Sequence, residues 1–141
     1  MPVKFPSEEW TAAYRQAVND NPNYRTAGRE WTHGAVALVV KAEPAAGLES
    51  DMAMLLDVHA GECRSARYLP ANDARGLAAF VVESSYARWK DVIEGRLDPI
   101  KAMLLGRLAL TKGSLPTMIR YVASSRELVR SAGMVPTDFA A

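Results

Sequence analysis

WKDVIEGRLDPIKAMLLGRLALTKG, residues 89–113, is the stretch on which the reading of this chain turns. It is apolar, yet three glycines and an Asp-Pro pair divide it. Ser84 or Ser85 can cap a helix that carries Tyr86, Trp89, Val92 and Ile93 on one side and stops at Gly95. Asp98 and Pro99 supply a second helix start, an acidic N-cap followed by proline at the first helical position. Ile100, Met103 and Leu104 form its stripe, and Gly106 stands where a C-terminal cap belongs. The residues RLALTK then alternate, with Leu108 and Leu110 on one strand face, until Gly113 turns the chain. Short apolar stripes that face inward from different directions make a loosely packed layer. Such a layer leaves space between itself and a sheet.

The flanking sequence supplies that sheet. Downstream, Ser114 and Pro116 open one last helix with Leu115, Met118, Ile119, Val122 and Val129 on its inner side, and Arg120, Arg126 and Arg130 mostly opposite. Residues 131–141 leave this helix at Gly133 and read as a mobile tail, with Met134, Val135 and Phe139 either free or placed over a mouth. Upstream, Ser7 caps a first helix whose stripe is Trp10, Ala13, Tyr14, Ala17 and Val18. A short helical turn is expected within residues 24–31. AVALVV (residues 35–40) reads as a buried strand, and residues 52–58 alternate with Met52, Met54, Leu56 and Val58 on one face. With Ala60 and Gly61 as a hairpin loop, Asp57 falls opposite Arg64 and His59 opposite Glu62, while Met54, Leu56, Val58 and Cys63 face inward. Residues 77–83 read as a fourth strand. The order is helix, four strands, two short helices, a fifth strand and a helix. It specifies an α+β fold, a mainly antiparallel sheet covered on one face by short helices.

A chain of 141 residues is the size of one domain and is read as a single one, 1–141. The apolar fraction of 49% and charged fraction of 23% are ordinary for a globular protein. A net charge of +1 provides no large basic field for nucleic acid, although it leaves room for a local basic patch; no nucleic-acid partner is expected. The first ten residues lack an apolar core like that of a secretory signal, no window resembles a membrane span, and one cysteine permits no internal disulfide. A cytoplasmic location is the expectation.

Catalytic patterns are weak. Cys63, His59 and Asp57 lie close in sequence, but the hairpin register turns Cys63 and His59 to opposite faces, so a buried structural cysteine is expected. His33 reads as a turn residue, Asp57 and Glu62 as part of a cross-strand charge cluster, and Glu83 and Asp91 as a strand end and a helix surface. Two histidines and one cysteine have no metal-ligand spacing. The expectation is no enzyme activity, no metal and no cofactor. The arginines of the last helix form a solvated face, with transient membrane-surface contact as the second reading. Four of the 6 methionines, Met52, Met54, Met103 and Met118, fall on inner faces, where methionine fills irregular space.

The order and detail of residues 84–113 resemble the sterol carrier protein type-2 (sterol-binding domain) family, in the form of a free-standing bacterial-type member. An aromatic helix runs into glycine, an apolar residue and Asp-Pro. An apolar helix with alanine follows, then glycine, a basic residue and an alternating strand. Gly95, Leu97, Asp98, Pro99, Ala102, Met103, Gly106 and Leu108 hold those places. Arg107 stands where the family has lysine, Gly113 comes about one residue late, and Ser114 follows it in place of an acid. The resemblance implies a five-stranded sheet covered by helices, with an apolar tunnel between them. It also implies non-catalytic binding and intracellular carriage or presentation of a lipid: fatty acyl, sterol-like or isoprenoid. An accessory protein-interaction subunit for a lipid or isoprenoid-quinone enzyme is the alternative, so the partners implied are an apolar lipid and a lipid enzyme. Mapped onto the helices and strands read above, the tunnel-lining candidates are Leu56, Phe80, Trp89, Ile93, Ile100, Met103, Leu104, Leu108, Met118 and Val122.

Overall fold

The computed structural model describes residues 2–139. Five strands form one sheet: β2 (Val36–Val40), β3 (Met52–His59), β4 (Glu62–Pro70), β5 (Phe80–Ser84) and β6 (Ala109–Lys112), in the order β4-β3-β2-β5-β6. Neighbours are antiparallel except the central pair β2 and β5, which is parallel. A parallel pair needs a crossover, and the β3–β4 hairpin with the helix α3 (Ala71–Leu77) provides it. The hairpin has the expected pairing of His59 with Glu62 and Val58 with Cys63. The register then shifts by one residue between Val58 and Leu56, leaving Leu56 opposite Ala66. Asp57 and Arg64 form the expected ion pair, 3.0 Å apart.

Among the described residues, six helices lie over the face that carries Val36, Leu38, Met54, Leu56 and Val82. Ser7 accepts from the Trp10 amide at 3.0 Å and starts α1 (Glu8–Asp20), which buries Trp10, Tyr14 and Val18. Asn21 caps α2 (Pro22–Ala27) and is itself buried, donating to Ser131 Oγ at 3.0 Å. Ser85 caps α4 (Tyr86–Ile93), and Asp98 caps α5 (Pro99–Leu104) by accepting from the Lys101 amide at 2.9 Å. Ser114 caps α6 (Leu115–Arg120), and α7 (Val122–Gly133) follows. The single last helix expected from the apolar stripe is therefore two. Tyr121, with φ −103° and ψ 35°, breaks it where its ring packs on Trp31 and His33.

α3 was not expected, and it lies on the opposite sheet face. There Ala71 and Ala74 pack on Ala37, Val39, Ala53, Leu55 and Val81. Glu83, near the end of β5 as expected, is only 6% exposed on this face. Arg75 of α3 grips it with two hydrogen bonds of 2.7 and 3.0 Å, Lys41 lies 3.0 Å away, and Thr111 donates at 2.6 Å. These contacts hold its carboxyl down at about 2, the Arg75 bonds contributing most. Asp91 is a surface residue as expected, paired with Arg96 at 3.1 Å.

Residues 131–139, expected as a mobile tail, instead finish α7 and form β7 (Thr137–Asp138), which pairs in parallel with β1 (Val3–Lys4). Trp10 Nε1 donates to Thr137 Oγ1 at 2.9 Å, and Val135 is buried. The last two positions of the expected tail, 140 and 141, lie outside the described residues. On the β4 edge, the Asn19 side chain accepts from the Cys63 amide at 2.8 Å and donates to its carbonyl at 3.0 Å, while Arg15 reaches the carbonyls of Cys63 and Arg64.

Candidate functional site

Residues 89–113 place one wall of a small, partly enclosed apolar cavity. Glycines 95, 106 and 113 all have positive φ, of 81°, 73° and 100°. The turns they allow bring α4, α5 and the start of β6 over the sheet from different sides. Trp89 comes from α4, where its indole N–H is fixed by the carbonyl of Val39 at 2.8 Å. Met103 comes from α5, Leu108 from the chain just before β6, and Met118 from α6. Val36, Leu38, Val58 and Val82 form the sheet floor, and α7 closes the side with Ser124, Ser125, Leu128 and Val129. The enclosed volume is about 40 Å³. That is room for about three waters, far below the roughly 300–1,000 Å³ of ligand pockets. The expected apolar tunnel is not shown among the described residues.

Four of the ten candidate lining residues meet at this cavity: Trp89, Met103, Leu108 and Met118. The other six are elsewhere. Leu56, Phe80 and Ile100 are buried in the surrounding core, and Val122 packs at its margin. Ile93 lines a neighbouring void and an outer groove. Leu104 turns outward and is 60% exposed, because a six-residue helix that buries Pro99, Ile100 and Ala102 has no second inward turn to offer.

Three aromatic residues outside that set complete the cavity: Tyr14 of α1, Tyr24 of α2, and Trp31. Their polar atoms already have partners. Tyr14 donates to the Leu128 carbonyl at 2.9 Å and Trp31 to that of Gly34 at 3.0 Å, while Tyr24 bonds Ser124. Burial pushes Tyr14 well above the ordinary tyrosine value and Tyr24 up to about 12. The cavity therefore carries no charge and few free polar groups. Tyr14 was legible as part of the α1 stripe. Nothing local marks Tyr24 or Trp31.

The thiol arrangement lacks its base. Cys63 is buried on the helix-covered face, its thiol donates to the Ser65 carbonyl at 3.3 Å, and burial pushes it up to about 11. His59 sits exposed at the end of β3. Among the described residues no group of three or more His, Cys, Asp or Glu side chains could hold a metal ion, and no helix is long and apolar enough to cross a membrane.

Among solved structures, the crystal structure of a sterol carrier protein 2 is 36% identical, with a TM-score of 0.84 over 92% of this chain and 97% of that one. The chain belongs to the sterol carrier protein 2 family. A conserved hypothetical protein from Thermus thermophilus, described as possibly a sterol carrier protein, is also 36% identical, with a TM-score of 0.84 over 94% of this chain and 90% of that one. Sterol carrier protein 2 from Yarrowia lipolytica, in its apo form, is 13% identical with a TM-score of 0.55 over 87% and 88%, and shares the fold. No protein-family model and no curated protein sequence matches the chain. The family's α+β fold, with its five-stranded and mostly antiparallel sheet, is the one expected from residues 84–113 and the strands before them. Arg107, where the family motif has lysine, is exposed. What it contributes here is its carbonyl, which accepts from Ser84 Oγ at 2.8 Å and Arg88 Nη1 at 3.3 Å. The backbone at this position can serve the same way whichever side chain it carries.

Proposed function

We propose that this protein is a non-catalytic lipid carrier, which takes an apolar ligand between the sheet and the α4–α7 layer and presents it within the cell. The observation that carries this reading is the uncharged cavity at the sheet–helix interface, in a chain of the sterol carrier protein 2 family. Filling it requires α5 and α6, each six residues long, to move outward from the sheet. Burying about 300 Å² of apolar lipid surface returns roughly 7–8 kcal/mol at about 25 cal/mol per Å². Association and the opening of the helix layer take back several kcal/mol, which leaves about millimolar affinity, so micromolar binding requires a ligand that buries about 500 Å² or more. The ligand class is a fatty acyl, sterol-like or isoprenoid molecule, recognised by shape and apolar area. Exposed Leu104 and Leu105, beside Lys101 and Arg107, give α5 the means for transient contact with an anionic membrane.

The small cavity volume favours a second reading, an accessory subunit that binds a partner protein while its interior stays packed. Native mass spectrometry of the folded chain after bacterial expression, followed by displacement of a fluorescent fatty acid, separates the two. A carrier shows a copurifying lipid mass or saturable uptake. A folded chain that takes up no lipid overturns the carrier reading.

A further inference from the structure

The cavity shares a wall with an open groove of about 560 Å³ that runs between the α4–α5 connection and α7. Pro99 and Val129 line both spaces. The groove is apolar along much of its length, through Val92, Ile93, Leu97 and Met134, the last 54% exposed. Two arginines also line it. Arg126 Nε lies 2.7 Å from Asp98 Oδ1, directly beside the Pro99–Val129 wall, and Arg130 stands one turn further along α7, paired with Glu127. Exposed ion pairs of this kind are weakly held and exchange readily.

A second groove, of about 580 Å³, shares only Ser124 with the cavity among the described residues. Passage there must displace buried Ser124 and the packed rings of Trp31, His33 and Tyr121, whose centroids are each 5.1 Å apart. Passage between Pro99 and Val129 displaces buried Pro99, but beside it only the partly exposed Asp98–Arg126 pair and an apolar contact, with no packed cluster of rings in the way.

Resting on the lipid-carrier reading, we infer that the α4–α7 groove is the mouth of the interior site and that its ligand is a fatty acid. The acyl chain passes between Pro99 and Val129, and Arg126 moves from Asp98 to the ligand carboxylate, with Arg130 beside it. A planar guanidinium matches a carboxylate with two parallel hydrogen bonds. Asp98 keeps the Lys101 amide as a partner when Arg126 leaves.

The test compares laurate with dodecanol, which share a chain and differ in head-group charge, as displacers of one neutral fluorescent alkyl probe from the full chain. Laurate is expected to displace at roughly threefold to tenfold lower concentration at low ionic strength, with the preference shrinking in high salt. Arg126→Gln brings the ratio close to one. Asp98→Asn, which retains the helix cap, raises it. Arg120→Gln, on the second groove, leaves it unchanged. Equal displacement by both ligands in the unmodified chain overturns the head-group assignment and leaves the carrier reading intact. Loss of the preference in Arg120→Gln rather than Arg126→Gln moves the mouth to the second groove and overturns the inference. Displacement by neither ligand overturns the carrier reading itself.

Discussion

Asp98 and Arg126 face each other across the seam between α5 and α7, with 2.7 Å between Oδ1 and Nε. The same carboxylate caps α5 through the Lys101 amide, so one side chain both starts the short helix and ties it to its neighbour. Asp98→Ala removes both roles and is expected to cost about 1–2 kcal/mol, whereas Asp98→Asn keeps the cap and costs a few tenths. Burial pushes the Asp98 carboxyl up, but Arg126 and the α5 amides outweigh it and the net shift is down. A carboxyl lowered on folding contributes stability above its unfolded value, and that contribution disappears as pH falls through the folded value. Urea unfolding of the two variants between neutral and acidic pH checks this. Equal losses in both at neutral pH would contradict the cap role.

Glu83 offers a sharper pH signature on the opposite sheet face. Its carboxyl falls from an ordinary 4.5 to about 2 because Arg75, Thr111 and Lys41 converge on it. The stability this provides is complete above about pH 4.5 and is lost as pH falls toward 2. Glu83→Gln leaves Arg75 without its anion and Lys41 with only the more distant Asp51, 3.7 Å away, and is expected to cost about 1.5–3 kcal/mol at neutral pH, discounted from a fully buried pair because both cations are partly solvated. The difference between the variant and the unmodified chain should close as pH approaches 2. A constant difference would show that packing rather than charge is responsible.

Two of the three tryptophans, Trp31 and Trp89, line the cavity, and Trp10 does not. A brominated fatty acid in the cavity should therefore quench most of the emission from Trp31 and Trp89 and spare much of that from Trp10. Trp31→Phe and Trp89→Phe variants, read by the residual quenching of each, assign the signal. Quenching confined to Trp10 would place the ligand elsewhere.

Gly95 and Gly113 both have positive φ, but their surroundings differ. A Cβ at Gly95 meets nothing within 4 Å, while one at Gly113 would lie 2.3 Å from the Phe80 ring. Gly95→Ala should cost about 1 kcal/mol for the backbone conformation alone. Gly113→Ala should cost about 2–4 kcal/mol, because it also pushes a buried aromatic ring. Thermal or denaturant unfolding ranks the pair, and equal costs would mean that β5 and β6 yield without strain.

The parts of the fold that could be read from sequence were those whose signal is local. Asp98-Pro99, the caps Ser7, Ser85 and Ser114, and the alternation of Met52, Met54, Leu56 and Val58 each carry their meaning within a few residues. α3 was hidden because it starts at Ala71 with no side-chain cap and includes Asn72, Asp73 and Gly76. The break at Tyr121 was hidden because neither glycine nor proline marks it. Trp31 and His33, almost 90 residues earlier, hold the ring there. The cavity was half legible for the same reason. Periodicity located the short helices that roof it, but it cannot show that Tyr24 and Trp31 arrive from the other end of the chain, nor that a helix as short as α5 leaves Leu104 in solvent.

The Asn19 amide beside Cys63 has a further effect, on the molecule's behaviour toward its own copies. An edge strand with free amides and carbonyls is a template for another chain. At Cys63 both groups are already occupied by one side chain, and Arg15 takes the next carbonyl at Arg64. The bulge nearby also twists the strand away from a flat edge. Two residues of α1 thus occupy the groups that another strand would use at the start of the β4 edge, which disfavours pairing with a second copy there.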